Sequence, residues 1–251
     1  MAITNIVVIL TFVTFFSIIQ AEELPPYLKV CTRKEGDIAQ CVKRAIEGLR
    51  PIFLEGDKAR NIPSLEPLEV GDLLVGDYGR SNGGLRISAT EIMAKGASNF
   101  RIDKISGDLD KLEFYFEVLL PRLETTGKYA VDGNVLLLPI KGSGPFTGNF
   151  TDSVGKAVMQ GEIVEKDGQK HIKFTDLNIK IKVGKGRLHL KNLFGGDKAL
   201  GDIINHTINT NFEVLSKDII PLIEKALSKL ILKISNQIVE PYTTEQLYPD
   251  E

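Results

Sequence analysis

Residues 200–238 read LGDIINHTINTNFEVLSKDIIPLIEKALSKLILKISNQI, and this stretch decides the fold. Its large apolar side chains recur at three- and four-residue steps: Ile204, Ile208, Phe212, Leu215, Ile219, Leu222, Ile223, Leu227, Leu230, Ile231, Ile234 and Ile238. Asn209, Glu213, Lys217, Glu224, Lys225, Lys229 and Lys233 occupy the other stripe, which is the pattern of an amphipathic helix. Glu213 and Lys217 add a favourable i,i+4 pair. Pro221 lacks the backbone donor and crowds the preceding turn, so it predicts a bend; the apolar spacing continues past it, so the helix should not end there. Unbroken, the segment would reach about 58 Å at 1.5 Å per residue. That is longer than a domain of this size is wide, so something elongated must wrap it.

The residues before it supply the wrapping. Leu112, Phe114, Phe116, Val118 and Leu120 alternate with Glu113, Tyr115 and Glu117, the period of a half-buried strand. Leu177, Ile179, Ile181 and Val183 alternate with polar residues, Gly184-Lys185-Gly186 follows, and Leu188 and Leu190 resume, which predicts a hairpin. Weaker strand patterns cover Leu85–Ala89, Phe100–Gly107, Lys128–Leu138, Lys156–Glu165 and His171–Phe174. Between Phe174 and Leu177 the apolar phase slips by one residue, as at a bulge. Ahead of the strands, Asp37 can cap a helix reaching about Phe53, with Pro51 in its last turn. Helix, many antiparallel strands, long helix: the order predicts an α+β fold with one strongly curved sheet.

Composition narrows the function. The 251 residues carry 31 basic and 33 acidic side chains, a formal charge of −2, with 43% apolar residues. That balance gives no electrostatic case for nucleic acid or an anionic membrane as partner. Met1–Ala21 has no charged side chain, and Ile6–Ile19 is an apolar run followed by Ala21 and then Glu22-Glu23. A spanning helix needs about 20 apolar residues with basic flanks, so residues 1–21 fit a cleaved secretory signal better than an anchor. Residues 22–251 then form a single domain, since no Pro/Gly/Ser-rich linker divides them. In an oxidising compartment Cys31 and Cys41, the two cysteines present, should pair. Asn149-Phe150-Thr151 and Asn205-His206-Thr207 become candidate glycosylation sites.

No catalytic constellation emerges. There is no Gly-x-Ser-x-Gly elbow, no phosphate-binding loop and no His-Glu-x-x-His. With three histidines and two cysteines, a metal site of Cys and His is close to excluded, and no cofactor is implied. Gly142-Ser143-Gly144 with Gly148 lacks dinucleotide spacing and reads as a glycine-rich bend. Asp108 and Asp110 lack the rest of a calcium loop and read as a hairpin tip.

Several stretches together resemble one family. Cys31-(x9)-Cys41 leading into Val42-Lys43-Arg44-Ala45-Ile46, then Gly71-Asp72-Leu73, is similar to the N-terminal signature of the insect takeout and juvenile-hormone-binding proteins. Tyr129-Ala130-Val131-Asp132-Gly133-Asn134-Val135-Leu136-Leu137-Leu138-Pro139-Ile140, with Gly142-Ser143-Gly144-Pro145-Phe146, resembles its central motif, and Glu240-Pro241-Tyr242 through Leu247-Tyr248-Pro249 its ending. The resemblance implies a TULIP-like fold, in which a highly curved antiparallel sheet wraps a long C-terminal helix around an apolar ligand tunnel. It implies a secreted carrier of a small hydrophobic ligand: a juvenile-hormone-like terpenoid, a fatty acid or another long-chain lipid. A second cysteine pair usual in the hemolymph hormone carriers is missing, which favours the takeout branch. The competing readings are an extracellular interaction protein acting through a receptor, and a hydrolase of hydrophobic esters. The carrier would be a monomer without a stable membrane anchor. Phe114, Phe116, Phe212, Leu215, Ile219, Ile223 and Leu227 are the tunnel-lining candidates, from the apolar faces of the central strand and long helix.

Overall fold

Two very long strands organise the molecule. In the computed structural model, which describes residues 23–78, 85–135 and 138–250, β4 (Glu113–Val135) pairs antiparallel along its whole length with β5 (Leu138–Lys166), from Glu113–Gln160 to Val135–Leu138. The segment expected as a signal lies outside the described residues. The outer edge of β4 is shared end to end by β3 (Arg101–Asp108), which faces Glu113–Leu119, and β2 (Leu85–Lys95), which faces Glu124–Asp132. β1 (Leu68–Tyr78) continues the sheet beyond β2. The outer edge of β5 is shared in the same way by β6 (Gln169–Lys182) and β7 (Lys185–Leu190).

This arrangement corrects three expectations. The stretches 112–120 and 128–138 are not separate strands; the first and most of the second belong to β4. β6 and β7 are not a hairpin: both run antiparallel to β5, one after the other. At Gly184 the chain passes so close to β5 that an added Cβ would lie 2.7 Å from Asp152 O, which is why a glycine stands there. Nor do Gly142, Gly144 and Gly148 form a bend, since they lie inside β5. A Cβ on Gly144 would come 2.7 Å from Lys191 O, so the absent side chain lets residues 191–193 run close against β5. The expected bulge is present: Gln160 pairs with Asp176 but Gly161 with Phe174, leaving Thr175 extra. Asp108 and Leu112 bracket a tight β3–β4 connection, as read from the sequence.

A crease crosses the sheet where the shared edges change hands. Pro121 and Asp152 fall opposite one another, between the Leu120–Ser153 and Arg122–Thr151 pairs. Pro121 has no N–H to donate and sits where β4 passes from β3 to β2, and Asp152 has φ 54°. Both strands change parity here: Phe114 is buried before the crease, Tyr129 and Val131 after it; Ile140 before, Ser153 and Met159 after.

The helices close the trough. α1 (Ile38–Gly48) is capped by Asp37, whose carboxylate accepts from Gln40 N at 3.0 Å. The chain breaks at Leu49, and Pro51 opens a short α2 (Arg50–Glu55) rather than closing α1. The Cys31–Cys41 disulfide ties the preceding segment to α1. The long C-terminal helix is interrupted, at Asn211 and not at Pro221: α3 is Lys198–Thr210 and α4 is Phe212–Val239, which runs through Pro221. α4 packs against β6 and also against β1, the two ends of the strand order, so the sheet curls until both edges meet one helix. A short α5 (Thr244–Leu247) closes one end against β6. None of the helices among the described residues is long and apolar enough to cross a membrane.

The polar stripe of these helices is not a solvated face throughout. Asn205 accepts from Leu190 N at 2.8 Å and donates to Leu190 O at 3.0 Å, and Asn209 does the same with Leu188 N and O, both at 2.8 Å. Asn236 bonds Phe174 N and O, and Glu224 accepts from Ile181 N. These side chains continue the ladders of β7 and β6 into the helices, so those edges present few unpaired groups.

Candidate ligand-binding interior

The face turned toward α4 is built of cross-strand rows. On the β6 side of the crease the rows across β4, β5 and β6 are Phe114–Met159–Leu177, Phe116–Ala157–Ile179 and Val118–Gly155–Ile181. Met159, Leu177 and Ile179 form a buried cluster against Leu227 and Leu232 of α4, which fixes this face as the inner one. Beyond the crease, Gly127–Phe146–Leu190 and Leu123–Phe150–Gly186 continue it under α3 and the start of α4. A concave face has little room, and several Phe rings lie over glycines. A Cβ on Gly127 would come 2.6 Å from the Phe146 ring and one on Gly148 2.8 Å from the Phe150 ring; the Phe212 ring covers Gly186, and Phe114 covers Gly107. Gly155 is different. A Cβ built there meets nothing within 4 Å, although it faces the same interior.

Five of the seven candidate lining residues pack in two groups along this face. Phe114 is 3% exposed, with its ring 6.4 Å from Phe116 and 6.5 Å from Phe174. Phe116 and Leu227 pack on the Met159 cluster. Phe212 lies 5.9 Å from Phe150, and Leu215 packs on the cluster of Tyr129, Val131, Ile140, Leu190, Leu193, Ile204 and Ile208. Ile219 and Ile223 stand between the groups on α4, half-buried. From Phe212 to Leu227 the helix rises about 22 Å.

The haemolymph juvenile hormone binding protein profile matches residues 6–249. The chain belongs to that family. It is 28% identical over 217 residues to the circadian clock-controlled protein daywake of Drosophila melanogaster, covering 83% of this chain and 82% of the other. It is 20% identical over 215 residues to a putative beta-carotene-binding protein of Schistocerca gregaria, covering 85% and 84%. The crystal structure of Epiphyas postvittana Takeout 1 superposes with a TM-score of 0.77 at 23% identity, over 88% of this chain and 99% of that one. The superposition shows the α+β fold with a curled antiparallel sheet that was read from the sequence.

In this family member the polar groups of the interior are few. Tyr129 donates to Lys191 O at 2.6 Å, and burial pushes its phenol pKa up, so it stays neutral. Glu224, 7% exposed, is held by Ile181 N and by Lys180 Nζ at 3.0 Å. His171 is buried with Nδ1 3.1 Å from Glu240 O, while His189 and His206 are exposed. A candidate metal cluster among the described residues, Cys31, Glu35 and Cys41, has both sulfurs in the disulfide. A polar cleft of about 370 Å³ between α1 and β3–β4, lined by Lys43, Asp103, Lys104 and Tyr115 among others, opens to solvent elsewhere. Asn149 is exposed on β5, whereas Asn205 is 8% exposed and the nitrogen that would carry a glycan is bonded to Leu190 O. Sequence reasoning missed Gly155 and the Asn205, Asn209, Asn236 and Glu224 clamps. The i,i+4 spacing of Asn205 and Asn209, matching Leu190 and Leu188 two residues apart, was the available signal.

Proposed function

We propose that the protein is a secreted, non-enzymatic carrier that holds a small hydrophobic ligand between the curled sheet and α4. The observation that carries this reading is the open space beside Gly155, in an inner face otherwise filled by Phe rings packed onto glycines. Rows of Phe, Val, Ile and Leu wall it, and burying a chain of about fifteen carbons among them gives a gross gain near 12 kcal/mol at about 0.8 kcal/mol per methylene. Association costs about 4–15 kcal/mol, so at the low end of that cost about 8 kcal/mol remains, which is micromolar affinity. The disulfide suits an oxidising compartment, consistent with residues 1–21 as a signal. The name of one relative, a putative beta-carotene-binding protein, points to a long apolar ligand. Native mass spectrometry and solvent extraction of secreted protein test the reading. Co-purifying lipid, and affinity rising with chain length in low and high salt alike, support it. Protein without lipid that takes up no apolar probe refutes it.

A further inference from the structure

The β5–β6 hairpin outruns the rest of the sheet. β4 begins at Glu113, opposite Gln160, and the last main-chain bond from that side runs from Gly161 N to Leu112 O at 2.9 Å. β5 then continues as Glu162-Ile163-Val164-Glu165-Lys166, paired with β6 alone. Asp167 and Gly168 close the hairpin with φ 53° and 75°, a two-residue turn of type I′. The pair that closes such a turn, Lys166 and Gln169, exchanges main-chain hydrogen bonds, and by alternation so do Val164 and Glu162 with their partners on β6. Ile163 and Glu165 therefore turn their N–H and C=O groups away from β6, to an edge where no strand lies among the described residues. Ile163 is 45% exposed, and Glu162, Glu165 and Lys166 are exposed as well.

We propose that this edge pairs antiparallel with the same edge of a second copy of the chain, about a two-fold axis at Val164, giving a weak dimer rather than the monomer expected from the sequence. The free run is bounded by the Leu112 bond at Gly161 and by the turn at Asp167, and Val164 is its midpoint, so two copies overlap along all of it. Ile163 and the partner's Glu165 then exchange two hydrogen bonds, and Glu165 and the partner's Ile163 two more, which uses every outward main-chain group of the run. Charges on an edge commonly prevent such pairing, but here their order is self-complementary. Glu162 falls opposite the partner's Lys166, and Lys166 opposite the partner's Glu162. Neither has an ion-pair partner within its own chain among the described residues. The two Ile163 side chains lie diagonally across the junction, within reach of one another. The other two-fold registers fail. Centred on Glu162, Glu165 or Lys166 they set like charges face to face, and centred on Ile163 they need the Gly161 N–H that Leu112 already takes.

The test is sedimentation velocity of the purified full-length protein from about 5 to about 500 µM, a range set by the small contact, which belongs with weak, transient interfaces. Wild type should pass from monomer to dimer within it. Glu162→Lys and Lys166→Glu should each raise the dimer Kd by about tenfold or more, since either change sets like charges opposite one another twice. An equal mixture of the two variants should associate as wild type does, because each reversed charge then meets its complement. Ile163→Pro removes an outward N–H and no bond to β6, so it should keep the wild-type melting temperature and remain monomeric. If that variant loses its fold, the charge reversals, on exposed side chains, decide the matter alone. A monomer at every concentration, a dimer that both single reversals leave intact, or a mixture no more associated than its components overturns the proposal.

Discussion

Gly155→Val separates space from packing. The backbone at Gly155 is ordinary strand, and a Cβ there touches nothing within 4 Å, so valine enters without strain. A β-branched residue replacing glycine in a strand interior should raise stability by about 0.5–1 kcal/mol. For a domain of this size that is about 1–4 °C in melting temperature. The same three carbons fill volume that a ligand would occupy. If each displaces one methylene, binding loses about 2.4 kcal/mol, or roughly 50-fold in Kd. The variant should therefore be more stable and bind worse, a combination that general damage does not produce. Gly127→Ala is the control: its Cβ would stand 2.6 Å from the Phe146 ring and 3.0 Å from Thr90 O, and such overpacking costs about 1–3 kcal/mol. Thermal unfolding of stripped protein and probe displacement by a fifteen-carbon ligand measure both quantities. A fall in melting temperature for Gly155→Val comparable to the control would show that the space is not there. An unchanged Kd would show that the ligand lies elsewhere.

Asn205→Ala should cost about 2–4 kcal/mol in urea unfolding, because it strands the buried Leu190 N–H and C=O together; a loss below about 0.5 kcal/mol would remove the clamp from the account. Burial pushes the Glu66 carboxyl up, but bonds from Gly96 N, Ser98 N and Ser98 Oγ outweigh it and its pKa lies below the usual value. Its contribution is complete above the unfolded carboxylate pKa of about 4.3 and is lost as pH falls through the depressed folded value, so Glu66→Gln should flatten stability measured from pH 5 downward. Burial, and then the bond to Asp57, hold Tyr27 neutral with its pKa raised to about 12. That stability is complete below pH 10 and fades as pH rises toward 12, and Tyr27→Phe should lose less over this window.

The periodic elements were legible because one face of each is buried. Apolar spacing placed α1, α3 and α4, and alternation placed parts of six of the seven strands. β1 was not legible: Gly71, Asp72 and Gly76 interrupt any alternation, and it enters the sheet by pairing with β2. The break at Asn211 was hidden because apolar spacing carries across it, with Ile208, Phe212 and Leu215 in step. The false hairpin had a definite cause as well. Gly184-Lys185-Gly186 marks a real break in the ladder, but whether the next strand folds back or continues along β5 depends on β5 being long enough to receive both. The candidate lining residues were legible as apolar faces. Gly155 was not, since a glycine over empty space and a glycine under a ring are the same letter.

Strand length joins these features. At about 3.3 Å per residue, a straight strand the length of β5 would run about 96 Å, whereas a domain of about 230 residues has a radius of gyration near 17 Å. β5 has 29 residues and β4 has 23, so both must curl tightly. The crease at Pro121 and Asp152 and the bulge at Thr175 supply part of the curvature. Curling crowds the inner face, which accounts for glycines paired with Phe rings from neighbouring positions. Crowding also limits how the interior can be filled: a large ring needs a glycine beneath it. At the row Val118–Gly155–Ile181 the glycine is present and the ring is not. A fold built only for stability would put a side chain there, gaining strand propensity and packing together. Leaving the place open, against both strand propensity and packing, is what the proposed carrier function expects of this row.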